Sequence, residues 1–209
     1  RSPLSTIHST ASYLAALNAG DRVSAAAARL IRSGAAMQAL LDDLVDFNRT
    51  RLGLGIKVVA TEIDLATPVA DELEQIRGAY PSCRIELMVL GDCRGRWDSL
   101  RLQQALRNLV TNGIKYGTPG SPVRVTLQGD PTEVRLEVTN SGPAIDPGIL
   151  AEIFDPLKRG VNHGEREDTG TLGLGLFIVR EIARAHGGEV DVHCEGGETT
   201  FAVHLPRSA

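Results

Sequence analysis

Between Val23 and Leu44, the residues Val23, Ala27, Leu30, Gly34, Met37, Leu41 and Leu44 recur at alternating steps of four and three. That spacing, close to a 3.5 period, draws one apolar seam down a helix. No feature constrains the chain more, because a helix with such a seam is stabilised chiefly by whatever covers it. Alanines at 25 to 28, 35, 36 and 39 support the helix by propensity. Before it, Leu4, Ile7, Ala11 and Leu14 set a shorter stripe on a first helix, and Asn18, Gly20 and Asp21 separate the two. The spacing predicts a helical hairpin over residues 1–50. A hairpin of this size buries little alone. Its seam needs the following domain or a second copy, which would make a dimeric four-helix bundle through residues 3–48.

Arg51-Leu52-Gly53-Leu54-Gly55 reads as a hinge, and residues 56–209 have a different grammar. Val69, Leu73 and Ile76 share one side of a helix expected from Thr67 to Ala79. Asp98 is placed to cap a helix running through Leu102, Leu106, Leu109 and Val110. Ile85, Leu87 and Val89 alternate as a strand. Val123, Val125 and Leu127 pair as a hairpin with Val134, Leu136 and Val138 across Gly129-Asp130-Pro131. Leu174 to Ala185 is helical, ending near Gly187-Gly188. Val190 and Val192, then Phe201, Val203 and Leu205, form the last two strands. Hairpin strands with helices to one side predict an α+β domain, a two-layer α/β sandwich.

The 209 residues suffice for one such domain with a helical appendage. With 22 Lys and Arg against 26 Asp and Glu, the net charge of -4 argues against a nucleic-acid groove. Three cysteines suggest neither a disulfide scaffold nor a zinc site. No stretch approaches the length of a membrane-spanning helix, so no membrane contact is expected of this piece. The chain opens at Arg1 without Met and reads as an excised part of a longer protein.

Four separated stretches carry the chemistry. In Asn108-Leu109-Val110-Thr111-Asn112-Gly113-Ile114-Lys115-Tyr116, residues Asn108, Asn112 and Lys115 share a helix face. Two amides and an ammonium there suit phosphate oxygens and a metal. Thr139-Asn140-Ser141-Gly142-Pro143-Ala144-Ile145 follows a strand, with a short amide at Asn140 and room for close approach at Gly142. Ile153-Phe154-Asp155-Pro156-Leu157 begins a long polar stretch that includes Lys158, Arg159 and His163. Gly170-Thr171-Leu172-Gly173-Leu174-Gly175-Leu176 closes that stretch and opens a helix, whose first N–H groups suit a phosphate. It is neither a Rossmann loop nor a Walker A motif.

In this order and spacing the four stretches resemble the N, G1, F and G2 boxes of the sensor histidine kinase ATP-binding domain. That is the Bergerat-type fold shared with gyrase, Hsp90-like chaperones and mismatch-repair ATPases. Arg1-Ser2-Pro3-Leu4 resembles the tail of the kinases' phosphoacceptor box. Asp46-Phe47-Asn48-Arg49, Trp97-Asp98, Arg101, Gln104 and His186-Gly187-Gly188 also match this family.

The resemblance implies an ATP:protein-histidine phosphotransferase that uses ATP and Mg²⁺. Asn112 would coordinate the metal, with Asn108 assisting beside it. Lys115 would reach the phosphates and Tyr116 would lie along the nucleotide. Asn140 would read the adenine amino group, with Gly142 and Ile145 in the same base-binding stretch. Gly170, Leu172, Gly173, Leu174, Gly175 and Leu176 would form the glycine box under the lid, and Arg159 or Lys158 would approach the γ-phosphate. The acceptor His is expected three residues before Arg1; His8 is out of register, and His186 is expected to be structural. Ser2 occupies a position associated with dephosphorylating the partner. The implied partners are a response-regulator receiver domain, an upstream sensor domain and a second copy of the chain. This piece would be cytoplasmic, and the whole protein soluble or membrane-anchored. Asn140 replaces the usual Asp, and Asn108 stands where efficient ATP hydrolases carry Glu, which favours phosphoryl transfer over hydrolysis. The alternatives are a hydrolase of the same fold and a scaffold with a weak site.

Overall fold

The computed structural model describes residues 3–16, 20–157 and 172–207. Two helices open it, α1 (Pro3–Ala16) and α2 (Asp21–Arg51), and they pack on each other. Ala11 and Ala27 are each 1% exposed, small side chains that permit close helix approach. Gly34 of the α2 seam is also buried, but its large side chains Leu30, Met37, Leu41 and Leu44 are all exposed. Helix α2 runs on into the expected hinge and stops at Arg51, after which Gly53 and Gly55 take positive φ.

The following domain contains β1 (Thr61–Asp64), α3 (Ala66–Ala79), β2 (Ile85–Leu90), β3 (Arg94–Trp97) and α4 (Ser99–Tyr116). It continues through β4 (Val123–Gly129), β5 (Glu133–Ser141), the short α5 (Pro147–Leu150), α6 (Gly175–Ala185), β6 (Glu189–Glu195) and β7 (Glu198–Pro206). Five strands form a mixed sheet in the order β2-β4-β5-β7-β6, antiparallel except for the parallel β2–β4 pair. Register aligns the inward rows: Val125 faces Val138, which faces Phe201, and Leu127 faces Leu136, which faces Val203. Those residues are buried with Leu102, Leu106 and Leu109 of α4 and Ile178 and Ile182 of α6. One sheet face is thus a helix-covered core. The other carries half-exposed polar residues such as Arg124, Glu137 and Thr139, an amphipathic strand arrangement.

Strands β1 and β3 pair with each other and were not anticipated from the sequence. At four residues each, mostly exposed, they give no usable alternation. Their anchor is Trp97, fully buried, whose Nε1 donates to the Pro206 carbonyl at 2.8 Å. Gly95 lies under that ring; a Cβ there would stand 2.2 Å from it.

Asp98 caps α4 as expected, accepting from the N–H groups of Leu100 and Arg101. His186 Nε2 accepts from the Asp98 N–H at 3.1 Å, so its other ring nitrogen carries the proton and donates to the Ile182 carbonyl at 2.8 Å. The buried imidazole ties the end of α6 to the start of α4, the two helices that frame the candidate site.

Candidate functional site

Helix α4 acts as a ruler between two loop ends. Asn108 Nδ2 donates to the Gly175 carbonyl at 3.3 Å, at the start of α6. From Asn108 to Gly117 the chain rises about 14 Å along the helix axis. At that far end Gly113 is buried beside Asn140: a Cβ on it would stand 3.5 Å from the Asn140 Oδ1. Gly117 admits no Cβ at all, because one would lie 2.4 Å from the Gly113 carbonyl oxygen. The Thr118 N–H donates to the Ser141 carbonyl at 2.7 Å, and the Gly142 N–H to the Gly197 carbonyl at 3.0 Å. A Cβ on Gly142 would press within 3.0 Å of the Tyr116 carbonyl oxygen. The helix end and the end of β5 are therefore locked together around Asn140, which is only 7% exposed.

Between these ends lies Asn112, half-buried on the face it shares with Asn108. Among the described residues no three His, Cys, Asp or Glu side chains gather as a metal site. Asn108 and Asn112 offer neutral amide oxygens, which suit a hard cation that brings its own phosphate oxygens. Lys115 and Tyr116 are exposed, and the Lys115 Nζ sits 4.9 Å from the Tyr116 ring centroid.

The N-cap residue of α6, Leu174, makes no side-chain cap, so among the described residues no side chain caps the positive end of the helix. Gly173 precedes it at φ 68°, and the Leu157 N–H donates to the Gly173 carbonyl at 3.1 Å. That bond closes the base of the long polar stretch. Phe154 anchors the same base, its ring edge-on to buried Phe201 at 6.2 Å. Leu157 fills no apolar slot: it is 61% exposed at φ 64°, an uncommon conformation for a side-chain-bearing residue.

The other expected site residues divide. Ile145 and Leu176 are half-buried against the core, and Leu172 is exposed. Leu174 is 2% exposed, so only its backbone faces a ligand. Ser2, Lys158, Arg159, His163 and Gly170 lie outside the described residues.

The sequence reading missed three features. Gly113 and Gly117 set the distance between α4 and β5, and only their i, i+4 spacing hinted at it. Thr199 is a buried polar residue directly opposite Asn140 in β7. The third is a joint between the two parts of the chain. Arg101 Nη1 and Nη2 reach the Asp46 carboxylate at 2.6 and 3.1 Å, and Gln104 Nε2 reaches Asp43 Oδ1 at 3.1 Å. Phe47 meets Phe177 of α6 edge-on at 5.6 Å. Burial, with Asp46 and Asp42 alongside, pushes the Asp43 carboxyl up to about 6, although Gln104 hydrogen-bonds to it.

Comparison with known proteins identifies the family of the domain that carries these residues. Residues 97–209 match the model of the histidine kinase-, DNA gyrase B- and HSP90-like ATPase family. The chain is 32% identical over 206 residues to a bacteriophytochrome of Pseudomonas aeruginosa, spanning 99% of this chain and 28% of that protein. It is 31% identical over 223 residues to the sensor histidine kinase AtsR of Burkholderia thailandensis, spanning all of this chain and 36% of AtsR. Full-length ShkA, crystallised with AMPPNP, superposes with a TM-score of 0.65 at 26% identity, over 99% of this chain and 44% of that one. The chain thus spans about a third or less of the curated relatives' length. With more than half its residues matched by the family model and its site built on the matched segment, the chain belongs to the histidine kinase-, DNA gyrase B- and HSP90-like ATPase family and carries an ATPase domain of the histidine kinase kind.

Proposed function

We propose that the chain is the catalytic core of a sensor histidine kinase. It would bind Mg-ATP between α4 and the start of α6, phosphorylate a histidine upstream of Arg1, and pass the phosphoryl group to an Asp of a response-regulator receiver domain. The observation that carries this is the convergence on one helix of Asn108 beside Gly175 and of Gly113 beside Asn140. The buried Asn140 amide and the start of α6 then lie at the two ends of a span suited to a nucleoside triphosphate.

In this reading Asn140 hydrogen-bonds the purine edge and Gly142 leaves room for the ring. Asn112 holds Mg²⁺ through its amide oxygen, and the metal offsets phosphate charge when bound. Lys115 leaves the Tyr116 ring to meet the phosphates. The α6 N–H groups stabilise charge on the transferring group, which is positioning and electrostatics rather than covalent chemistry. Asn108 cannot serve as a general base for water, because an amide takes no proton near neutral pH; this favours transfer over hydrolysis. The uncovered α2 seam supports a homodimer through residues 3–48, and Gly53 and Gly55 supply the pivot between kinase and transfer postures.

The test uses the chain extended upstream through its histidine, incubated with γ-labelled ATP and Mg²⁺. Acid-labile, base-stable label should appear there and not on His8. Asn112→Ala should cut the labelling rate about 10²-fold or more. Nucleotide binding in chelator should change little, since the base end is separate. Near-normal labelling by N112A with unchanged Mg²⁺ dependence would remove Asn112 as the ligand.

A further inference from the structure

Asn140 is buried, yet almost nothing fixes which way its amide faces. Among the described residues its recorded hydrogen bond runs from Nδ2 to the Ser141 carbonyl at 3.4 Å, a long contact. That carbonyl is already taken by the Thr118 N–H at 2.7 Å. The Gly142 N–H is committed to Gly197, and the Thr199 hydroxyl shares a hydrogen bond with the Cys194 thiol at 3.7 Å, in which either group can donate. Gly113, on the Oδ1 side, presents no side chain. Turning the amide over about its Cβ–Cγ bond therefore sacrifices one weak bond.

An amide carries an acceptor and a donor side by side. One way round it accepts from a 6-amino group and donates to N1, the pattern of adenine. Turned over, it donates to a 6-oxo group and accepts from N1–H, the pattern of hypoxanthine and guanine. A carboxylate has acceptors only and opposes a 6-oxo group. We propose that Asn140 makes this site permissive at the purine 6-position, so that 6-oxopurine nucleoside triphosphates bind alongside ATP. The inference rests on the nucleotide-site reading above and specifies its substrate class.

The experiment is equilibrium titration of the chain with Mg²⁺ and either ATP or ITP, which differ only at the 6-position and N1. We expect the two affinities to agree within about tenfold for the unmutated chain. Asn140→Asp should raise the preference for ATP to about 10²-fold, chiefly by weakening ITP. Asn140→Ala should weaken both nucleotides and bring their affinities together, and it reports on the residue even if the Asp variant misfolds. A preference for ATP beyond tenfold in the unmutated chain overturns the inference while leaving the nucleotide site standing. So does an ATP-to-ITP ratio that N140A leaves unchanged together with both affinities. Binding of neither triphosphate overturns the site itself and this inference with it.

Discussion

His186 shows how a single buried ring sets a pH limit on the domain. It is 2% exposed, and burial holds its pKa below the ordinary 6.5 despite the Ile182 hydrogen bond and the nearby Asp98 charge. The unfolded chain therefore takes up this proton first as pH falls, and stability is lost below about 6.5 until the native ring also titrates. Asp43 acts in the opposite sense: its carboxyl, raised to about 6, is protonated in the native state first and returns stability as pH falls. Urea midpoints at pH 7.5 and 5.5 should separate the two. His186→Gln should cost about 1 kcal/mol at pH 7.5 through lost hydrogen bonding. It should then gain more, or lose less, than the unmutated chain on going to pH 5.5. Parallel profiles would mean that His186 takes up its proton equally in the native and unfolded states.

Among the elements, α2 is the one with unfinished business. Its seam puts Leu30, Met37, Leu41 and Leu44 in solvent along a helix of 31 residues. Leu41→Asp places a charge in any interface built on that face and should dissociate it, while leaving the catalytic domain folded. Sedimentation decides: a dimer that becomes a monomer in L41D is expected, and an unmutated monomer at tens of micromolar would refute the interface. Most elements were legible because their periodicity was strong: the Asp98 cap, the β4–β5 hairpin and the leucines of α4 follow from local pattern. The β1–β3 pair was not, because Thr61-Glu62-Ile63-Asp64 has too few buried positions to alternate. The Asp46–Arg101 joint was invisible for another reason. Both residues were noted separately, but a pair 55 positions apart leaves no trace in spacing. The site was legible as four stretches, whereas the glycine-set distance between Gly113 and Asn140 depends on packing alone.

At the scale of the whole molecule, that joint fixes the posture of the two parts. Asp46 is 2% exposed and held by two bonds from Arg101 and a longer one from Gln104, so Arg101→Ala would leave a buried carboxylate with only the Gln104 amide and no countercharge. The loss should be about 3 kcal/mol of docking. Amides of residues 43–51 should then exchange with deuterium about 10²-fold faster, with the β5–β7 ladder unaffected. Unchanged exchange would show that Gln104 with the Phe47–Phe177 pair holds the joint without Arg101. The order of strands carries a different consequence. β7, made last, lies inside the sheet between β5 and β6, so β6 is synthesised before the strand it must pair with. On the ribosome the helices and the β4–β5 hairpin can form early, but the sheet stays split until residues 198–206 have emerged. During that interval the inner edge of β5, with Val134, Leu136 and Val138, waits unpaired. The domain is most open to aggregation between the emergence of β5 and that of β7.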